Sequence, residues 1–173
     1  MLLTQTPRLL LRTFHIGDVD AMAAIFADPE GHPFGPGPKS RKWTERWVLG
    51  CLDNYYQQWG FGPWAVVFKC EFRLIGFCGL SVHEDFDSRR HVELGYRLAR
   101  PYWGQGLATE AAAAVRDLAL GQLGLSRLVS RIDPRNIASC RVAEKIGMRH
   151  ERDVVDEHER VVRQYAIGPG GPD

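Results

Sequence analysis

Two glycines flank a glutamine in the stretch PYWGQGLATEA, residues 101–111, immediately before an alanine-rich run. Glycine is entropically costly beside a helix, so its repeated use there needs a physical reason. A glycine turn that opens a helix can hold an anion. The first helical N–H groups have no intrahelical partner, and the helix dipole places roughly half a positive charge at that end. Without a Cβ, the backbone can come close to an oxyanion. Gly104, Gln105 and Gly106 supply the turn, and Leu107, Ala108 and Thr109 carry the first free N–H groups. The G-x-x-x-x-G-K-[ST] pattern of a P-loop is absent, and the third glycine of a dinucleotide fingerprint would fall at Thr109. The loop alone therefore leaves a phosphate cradle and a plain structural turn both open.

The elements around it must position this loop. HVELGYRLA precedes it as a strand in which Val92, Leu94, Tyr96 and Leu98 alternate with Glu93, Gly95 and Arg97. After it, Ala111, Val115, Leu118 and Ala119 trace a helical stripe ending near Gly121 and Gly124. SRLVSRID is the next strand, and Pro134 precedes a short helix in which Ser139, Val142, Ala143 and Ile146 share a face, with Gly147 at its stop. RHERDVV and ERVVRQYAI close the chain as two strands. Upstream, Arg8 to Phe14 reads as the first strand, and Asp18 is placed to cap a helix running to about Ala27. Asp28 to Ser40 is loop, and Ser40 caps a second helix whose Trp43, Trp47, Cys51 and Tyr55 face packs as core, with a substrate box as the alternative. PWAVVFK and RLIGFCGLSV form a hairpin across Cys70-Glu71-Phe72. The order β-α-α-β-β-β-α-β-α-β-β is an α/β layering on a mixed sheet.

Composition removes several function classes. The 173 residues are enough for one domain, and a net charge of +1 offers no footprint for nucleic acid. Cys51, Cys70, Cys78 and Cys140 form no C-x-x-C, and the six histidines show no ligand spacing, so no metal is expected. Free thiols in a reducing cytoplasm are the default, and neither a spanning helix nor a signal peptide is visible. One domain over residues 1–167 with a flexible tail over 168–173 is expected.

VELGYRLARPYWGQGLATEA, followed after a strand by NIASCRVAEKIGM, resembles the GNAT N-acetyltransferase superfamily, and more specifically its RimJ/RimL-like branch. TPRLLLR, LIGFCGL and LGLSRL are similar to that branch too, so the likeness covers nearly the whole chain in order. The resemblance implies a mixed, mostly antiparallel central sheet, splayed between two strands and flanked by about four helices. It implies acetyl-CoA as co-substrate, with its pyrophosphate on the amides of Gly104 to Thr109 and its pantetheine arm in the splay, paired with backbone near Leu98. Asn136 and Ser139 match the family's N-x-x-S pair. Trp103 stands where many members carry Arg or Gln, but it is usual for this branch.

Acyl transfer from a thioester to an amine needs three things. The amine, with a pKa of about 10, must lose a proton; the acyl oxygen needs a donor; and the departing thiolate needs a proton. The Leu98 N–H is the oxyanion donor that the resemblance implies. Glu93 is the candidate base, with pairing to an arginine as its structural alternative. Ser139 is the candidate proton donor, with cofactor contact or a bond within its own helix as the alternatives. Tyr96, Tyr102 and Tyr165 are further donors that sequence does not rank, and Arg141 could reach a cofactor phosphate. Cys140 has no histidine beside it to make it a nucleophile. The expected activity is direct acetyl transfer to a primary amine, on a protein N-terminus or a small molecule, by a monomer or homodimer without nucleic-acid or membrane partners. A catalytically silent acyl-CoA-binding sensor is the alternative. Acceptor selection is expected in the 28–40 loop and the 84–90 connection, since loops carry the variable part of a site.

Overall fold

Eight strands form one sheet in a computed structural model that describes residues 1–31, 33–35, 37–84, 90–156 and 159–169. The strands are β1 (Leu2–Gln5), β2 (Leu9–Arg12), β3 (Pro63–Phe68), β4 (Arg73–Glu84), β5 (Arg90–Leu98), β6 (Leu128–Ile132), β7 (Arg149–Val155) and β8 (Val161–Ile167). Four helices flank them: α1 (Val19–Ala27), α2 (Arg41–Gly50), α3 (Leu107–Asp117) and α4 (Ile137–Lys145). Both α2 and α3 run on into wider π-helical turns, over Cys51–Trp59 and Leu118–Gln122. The spatial order is β1-β2-β3-β4-β5-β6-β8-β7. Every neighbouring pair is antiparallel except β5 and β6, which are parallel because α3 carries the chain back between them. This is the mixed α/β fold, with an antiparallel-dominated sheet and four helices, that the sequence led us to expect.

Alternation on β5 sorts its side chains between two cores. Leu94, Tyr96 and Leu98 face α3 and α4 together with Leu80, Val115 and Ile146. Phe77 of β4 lies on the other face, under α1 and α2, against Phe26 and Trp47. Trp43 and Trp47 stack there as the predicted aromatic face, and Ser40 caps α2 by accepting from the Trp43 N–H at 3.2 Å. The 69–72 hairpin turn is also where the sequence put it, closed by Phe72 N–H onto the Lys69 carbonyl.

Two local expectations are corrected. The first strand is not the segment beginning at Arg8: β1 precedes it and pairs with β2. Leu2–Gln5 is too short to display alternation, and it sits at the sheet edge, where one pairing partner suffices. Asp18 does stand at the start of α1, yet its carboxylate caps no helical N–H. It accepts two bonds from Arg12, each 2.7 Å, and one from the His15 N–H. A bidentate charge-assisted pair outcompetes a neutral cap.

That pair sets a pH dependence. Burial alone would raise the Asp18 pKa, but the Arg12 and His15 contacts outweigh it and hold the carboxyl below its ordinary value. A depressed folded pKa means that the contribution is complete above the unfolded value near 4 and is lost as pH falls through the folded one. Asp18→Asn should cost about 3 kcal/mol at pH 7, because it strands the Arg12 charge. Urea unfolding at pH 7 and in mild acid checks this. The variant should lose less stability on acidification than the parent, and parallel curves would dismiss the pair as a pH-sensitive element.

Candidate active site

β5 ends at Leu98, a single 3-10 turn over Arg100–Tyr102 follows, and the chain reaches Trp103 and the glycine loop. Gly104 and Gly106 both take left-handed backbone, with φ of +72° and +76°, which glycine adopts without a Cβ clash. A side chain at Gly104 would meet nothing within 4 Å, and one at Gly106 only the tip of Arg8 at 3.6 Å. The glycines thus leave open space over bare backbone. The first α3 hydrogen bond is Glu110 N–H to the Gly106 carbonyl, so the amides of Leu107, Ala108 and Thr109 have no helical partner. Gln105 folds its carboxamide back onto the Pro101 carbonyl at 2.8 Å and stiffens the turn.

Arg8 is the residue that the site reading missed. Its guanidinium donates to Glu110 at 2.7 Å and to the Gln105 carbonyl at 2.9 Å, which pins a cation beside the loop. The Arg8 N–H and the Thr6 hydroxyl also bind Glu110, so β2 and the start of α3 are tied. The only signal was the basic residue of TPRLLLR, with a glutamate in the first turn of the loop helix.

Beside the loop, β5 and β6 part. They share one register pair, Glu93 with Val129, and the Ser130 hydroxyl makes the last tie at 2.7 Å to the Leu94 carbonyl. Ala99 N–H bonds the Ile75 carbonyl on β4, so by antiparallel alternation the backbone groups of Tyr96 and Leu98 turn the other way, into the gap. The Leu98 carbonyl accepts the Trp103 indole N–H at 2.7 Å. What the strand offers at Leu98 is therefore its N–H, and Trp103 acts as a strut rather than leaving that carbonyl open. The result is a cleft of about 640 Å³, running from the glycine loop between β5, β6 and α4.

Glu93 and Ser139 both line this cleft. The Glu93 carboxylate accepts from the Arg131 N–H at 3.2 Å and from its guanidinium at 2.9 Å, and His83 stands 3.5 Å away. It thus clamps the closed end of the gap while facing the cavity. Asn136 caps α4 by accepting from the Ser139 N–H at 3.1 Å. Arg141 and Lys145 project along the same wall. Cys140 is buried off the cleft. Tyr102 donates to Glu71 at 2.6 Å and Tyr165 to Glu144 at 3.4 Å, whereas the Tyr96 hydroxyl lies on the cleft beside Ser139.

Of the two segments expected to select the acceptor, the 28–40 loop lines the cleft through Gly31, Pro33, Phe34 and Gly35. Phe34 is held by Arg160, which donates to its carbonyl at 3.1 Å, and by Arg135 over its ring. Residues 85–89 of the 84–90 connection lie outside the described residues. Among the described residues no group of His, Cys, Asp or Glu is placed to hold a metal, and no helix is long and apolar enough to cross a membrane.

Residues 8–149 match the acetyltransferase (GNAT) domain. The chain is 33% identical to the uncharacterized protein YkkB of Bacillus subtilis over 150 residues, 86% of each chain. A crystal structure of an acetyltransferase from Agrobacterium tumefaciens superposes with a TM-score of 0.80 at 29% identity, covering 96% of this chain and 94% of that one. The same fold occurs in RimL, a ribosomal L7/L12 alpha-N-protein acetyltransferase solved in complex with coenzyme A. There the TM-score is 0.78 at 18% identity, over 97% of this chain and 98% of that one.

Proposed function

The chain belongs to the GNAT acetyltransferase family, and from that premise we propose that it moves an acetyl group from acetyl-CoA directly to a primary amine. The observation that carries this reading is the union of two features in one cleft: a parting of β5 and β6, and a helix N-terminus with bare glycine backbone at its mouth. Residues fit for the co-substrate are present along it. The amides of Gly104 to Thr109, with Arg8 beside them, suit a pyrophosphate, and Arg141 and Lys145 suit a further phosphate. The Leu98 N–H is available in the gap for an acyl or pantetheine oxygen, with the Asn136-capped start of α4 opposite.

Bound there, acetyl-CoA supplies an activated acyl carbon and a thiol that leaves. The chain's own residues do the rest. The Leu98 N–H stabilises negative charge as it gathers on the acyl oxygen. Two carboxylates line the cleft, and an arginine binds both oxygens of each, Arg135 those of Asp133 and Arg131 those of Glu93. Glu93, on β5 at the closed end of the gap, takes the amine proton in this reading. Ser139, on the α4 wall of the cleft, would donate to the leaving sulfur. The acceptor is a protein N-terminus or a small-molecule amine, admitted past the Phe34 loop.

Calorimetry with acetyl-CoA and thiol release across a panel of peptides and small amines test the reading together; no binding at sub-millimolar concentration would end it. Glu93→Gln keeps the shape and the Arg131 contact in part. It should lower kcat roughly 100-fold with acetyl-CoA affinity unchanged. A kcat within about threefold of the parent would leave Glu93 as a strand clamp alone.

A further inference from the structure

Glycine inside a strand weakens it, and a backbone angle or a close neighbour usually explains its presence. Gly95 on β5 has neither. It takes no positive φ, and a Cβ built on it would meet nothing within 4 Å among the described residues. Gly95 lines the cleft, so the open space over it belongs to the site. Alternation sets it on the same face of β5 as Glu93 and Arg97. Arg97 is the register partner of Phe77, which packs under α1 and α2 against Phe26 and Trp47. The Arg97 guanidinium lies on that face too, 5.2 Å from the centroid of the Phe26 ring. Bare backbone is thus flanked by a carboxylate residue on one side and an arginine on the other. The Cα atoms of Glu93 and Arg97 stand about 13 Å apart, at about 3.3 Å of strand per residue. Two long side chains and one small molecule between them fill such a span.

Resting on the reading of the cleft as the site of acetyl transfer, we propose that Arg97 binds a carboxylate on the acceptor. The acceptor is then a small amino-carboxylate that lies over Gly95, with its amine toward Glu93 and its carboxylate on Arg97. Burial lowers the Arg97 pKa to about 10, which leaves the guanidinium a full cation near neutrality. A charge sheltered in this way is weakly screened, so it favours an anionic group and disfavours a second ammonium on the acceptor. A guanidinium carries five N–H donors in a planar fork. Two of them match a carboxylate, and the others remain for contacts within the protein. A peptide N-terminus offers a neutral carbonyl where an amino-carboxylate offers a charged pair of oxygens. In the transfer the amine nitrogen bonds to the acyl carbon as the carbon–sulfur bond breaks, and the amine proton goes to Glu93. The acceptor's carboxylate takes no part in these bond changes, and Arg97 only holds it in place.

The test is thiol release with matched acceptors: α-amino acids of several side-chain types, their carboxamides, and the amines that lack the carboxyl group. A short peptide amide and a linear triamine complete the set. The parent should prefer the amino acids over their carboxamides about 30-fold or more in kcat/KM. Arg97→Gln should abolish that preference, lowering kcat/KM on the acids about 100-fold, chiefly through KM, with the carboxamides within about threefold. Arg97→Lys, which keeps the charge without the fork, should recover about tenfold of the loss. Gly95→Ala should fold as stably as the parent but acetylate every acceptor about tenfold more slowly or worse, because its methyl group fills the floor of the subsite. Calorimetry should give the same acetyl-CoA affinity for the parent and all three variants. Carboxamides, peptide amide or triamine used by the parent as well as the amino acids would overturn the proposal without any variant. An acid preference that survives Arg97→Gln, or full activity in Gly95→Ala, would do so too, as would acetyl-CoA binding with no transfer to any member of the set. A parent that binds no acetyl-CoA would instead overturn the acetyl-transfer reading, and this proposal with it.

Discussion

Gly106→Asp should cost acetyl-CoA binding at least 100-fold while leaving the protein folded. Gly106 sits at φ +76°, a conformation that aspartate and asparagine tolerate better than other side chains. Its Cβ would meet only the Arg8 guanidinium, 3.6 Å away, so strain is confined to the backbone and should cost about 1 kcal/mol. The new carboxylate would project where the loop amides are open and would repel a pyrophosphate. At about 4 Å and an effective dielectric constant near 20, one pair of like charges costs about 4 kcal/mol, more than a hundredfold in affinity. Gly106→Asn separates the two effects, because it has the same shape and strain but no charge. It should weaken binding only about tenfold. Calorimetry with acetyl-CoA reads both variants. Binding by Gly106→Asp within a few-fold of the parent would remove the loop from the list of anion sites.

A large stability effect is expected at Gly79→Ala, in the middle of β4. A Cβ there would lie 2.3 Å from the Gly62 carbonyl oxygen and 2.5 Å from the Pro63 Cα. Those are backbone atoms, and Pro63 is the register partner of Gly79, so relief requires β3 to move away from β4. The Leu80 N–H donates to that same Gly62 carbonyl, and the movement would break this bond as well. A loss of roughly 3–5 kcal/mol is expected, a large part of the 5–15 kcal/mol that holds an ordinary domain together. Gly95, directly across the next ladder on β5, is the contrast. Its Cβ would meet nothing within 4 Å, so Gly95→Ala should be neutral or stabilise by about 0.5 kcal/mol. Urea unfolding of the two variants should separate them by several kcal/mol. If they unfold together, close backbone approach is not what requires Gly79.

Periodicity and local chemistry made much of this legible in advance. β5 shows its alternation in Val92, Leu94, Tyr96 and Leu98, the glycine pair marks the loop, and Pro134 announces a helix that begins at Ile137, where Asn136 caps it at 3.1 Å. Residues joined over long sequence distances were not legible. Arg8 and Glu110 meet across 102 positions, and Arg160 reaches Phe34 across 126. Neither contact leaves a local pattern. Asp18 looked like a cap because it precedes a helix, and only folding brings Arg12 to it. Glu93 shows the limit most clearly. Its residue type and strand position permit both a base and an ion pair, and the structure places it facing the cavity with Arg131 bound to it.

The strand order also governs how the chain can fold as it is made. β1 to β5 are each neighbour to the next, so that half of the sheet can close sequentially while the rest is still being synthesised. β6 cannot. It meets β5 at one pair and then diverges, and its full-length partner is β8, the last of the eight strands in sequence order. Until residues 161–167 arrive and insert between β6 and β7, β6 has a bare edge on one side and the open cleft on the other. An unpaired strand in that position is an invitation to intermolecular pairing. The divergence of β5 and β6 thus leaves that half of the sheet dependent on β8, the last of the eight strands in sequence order.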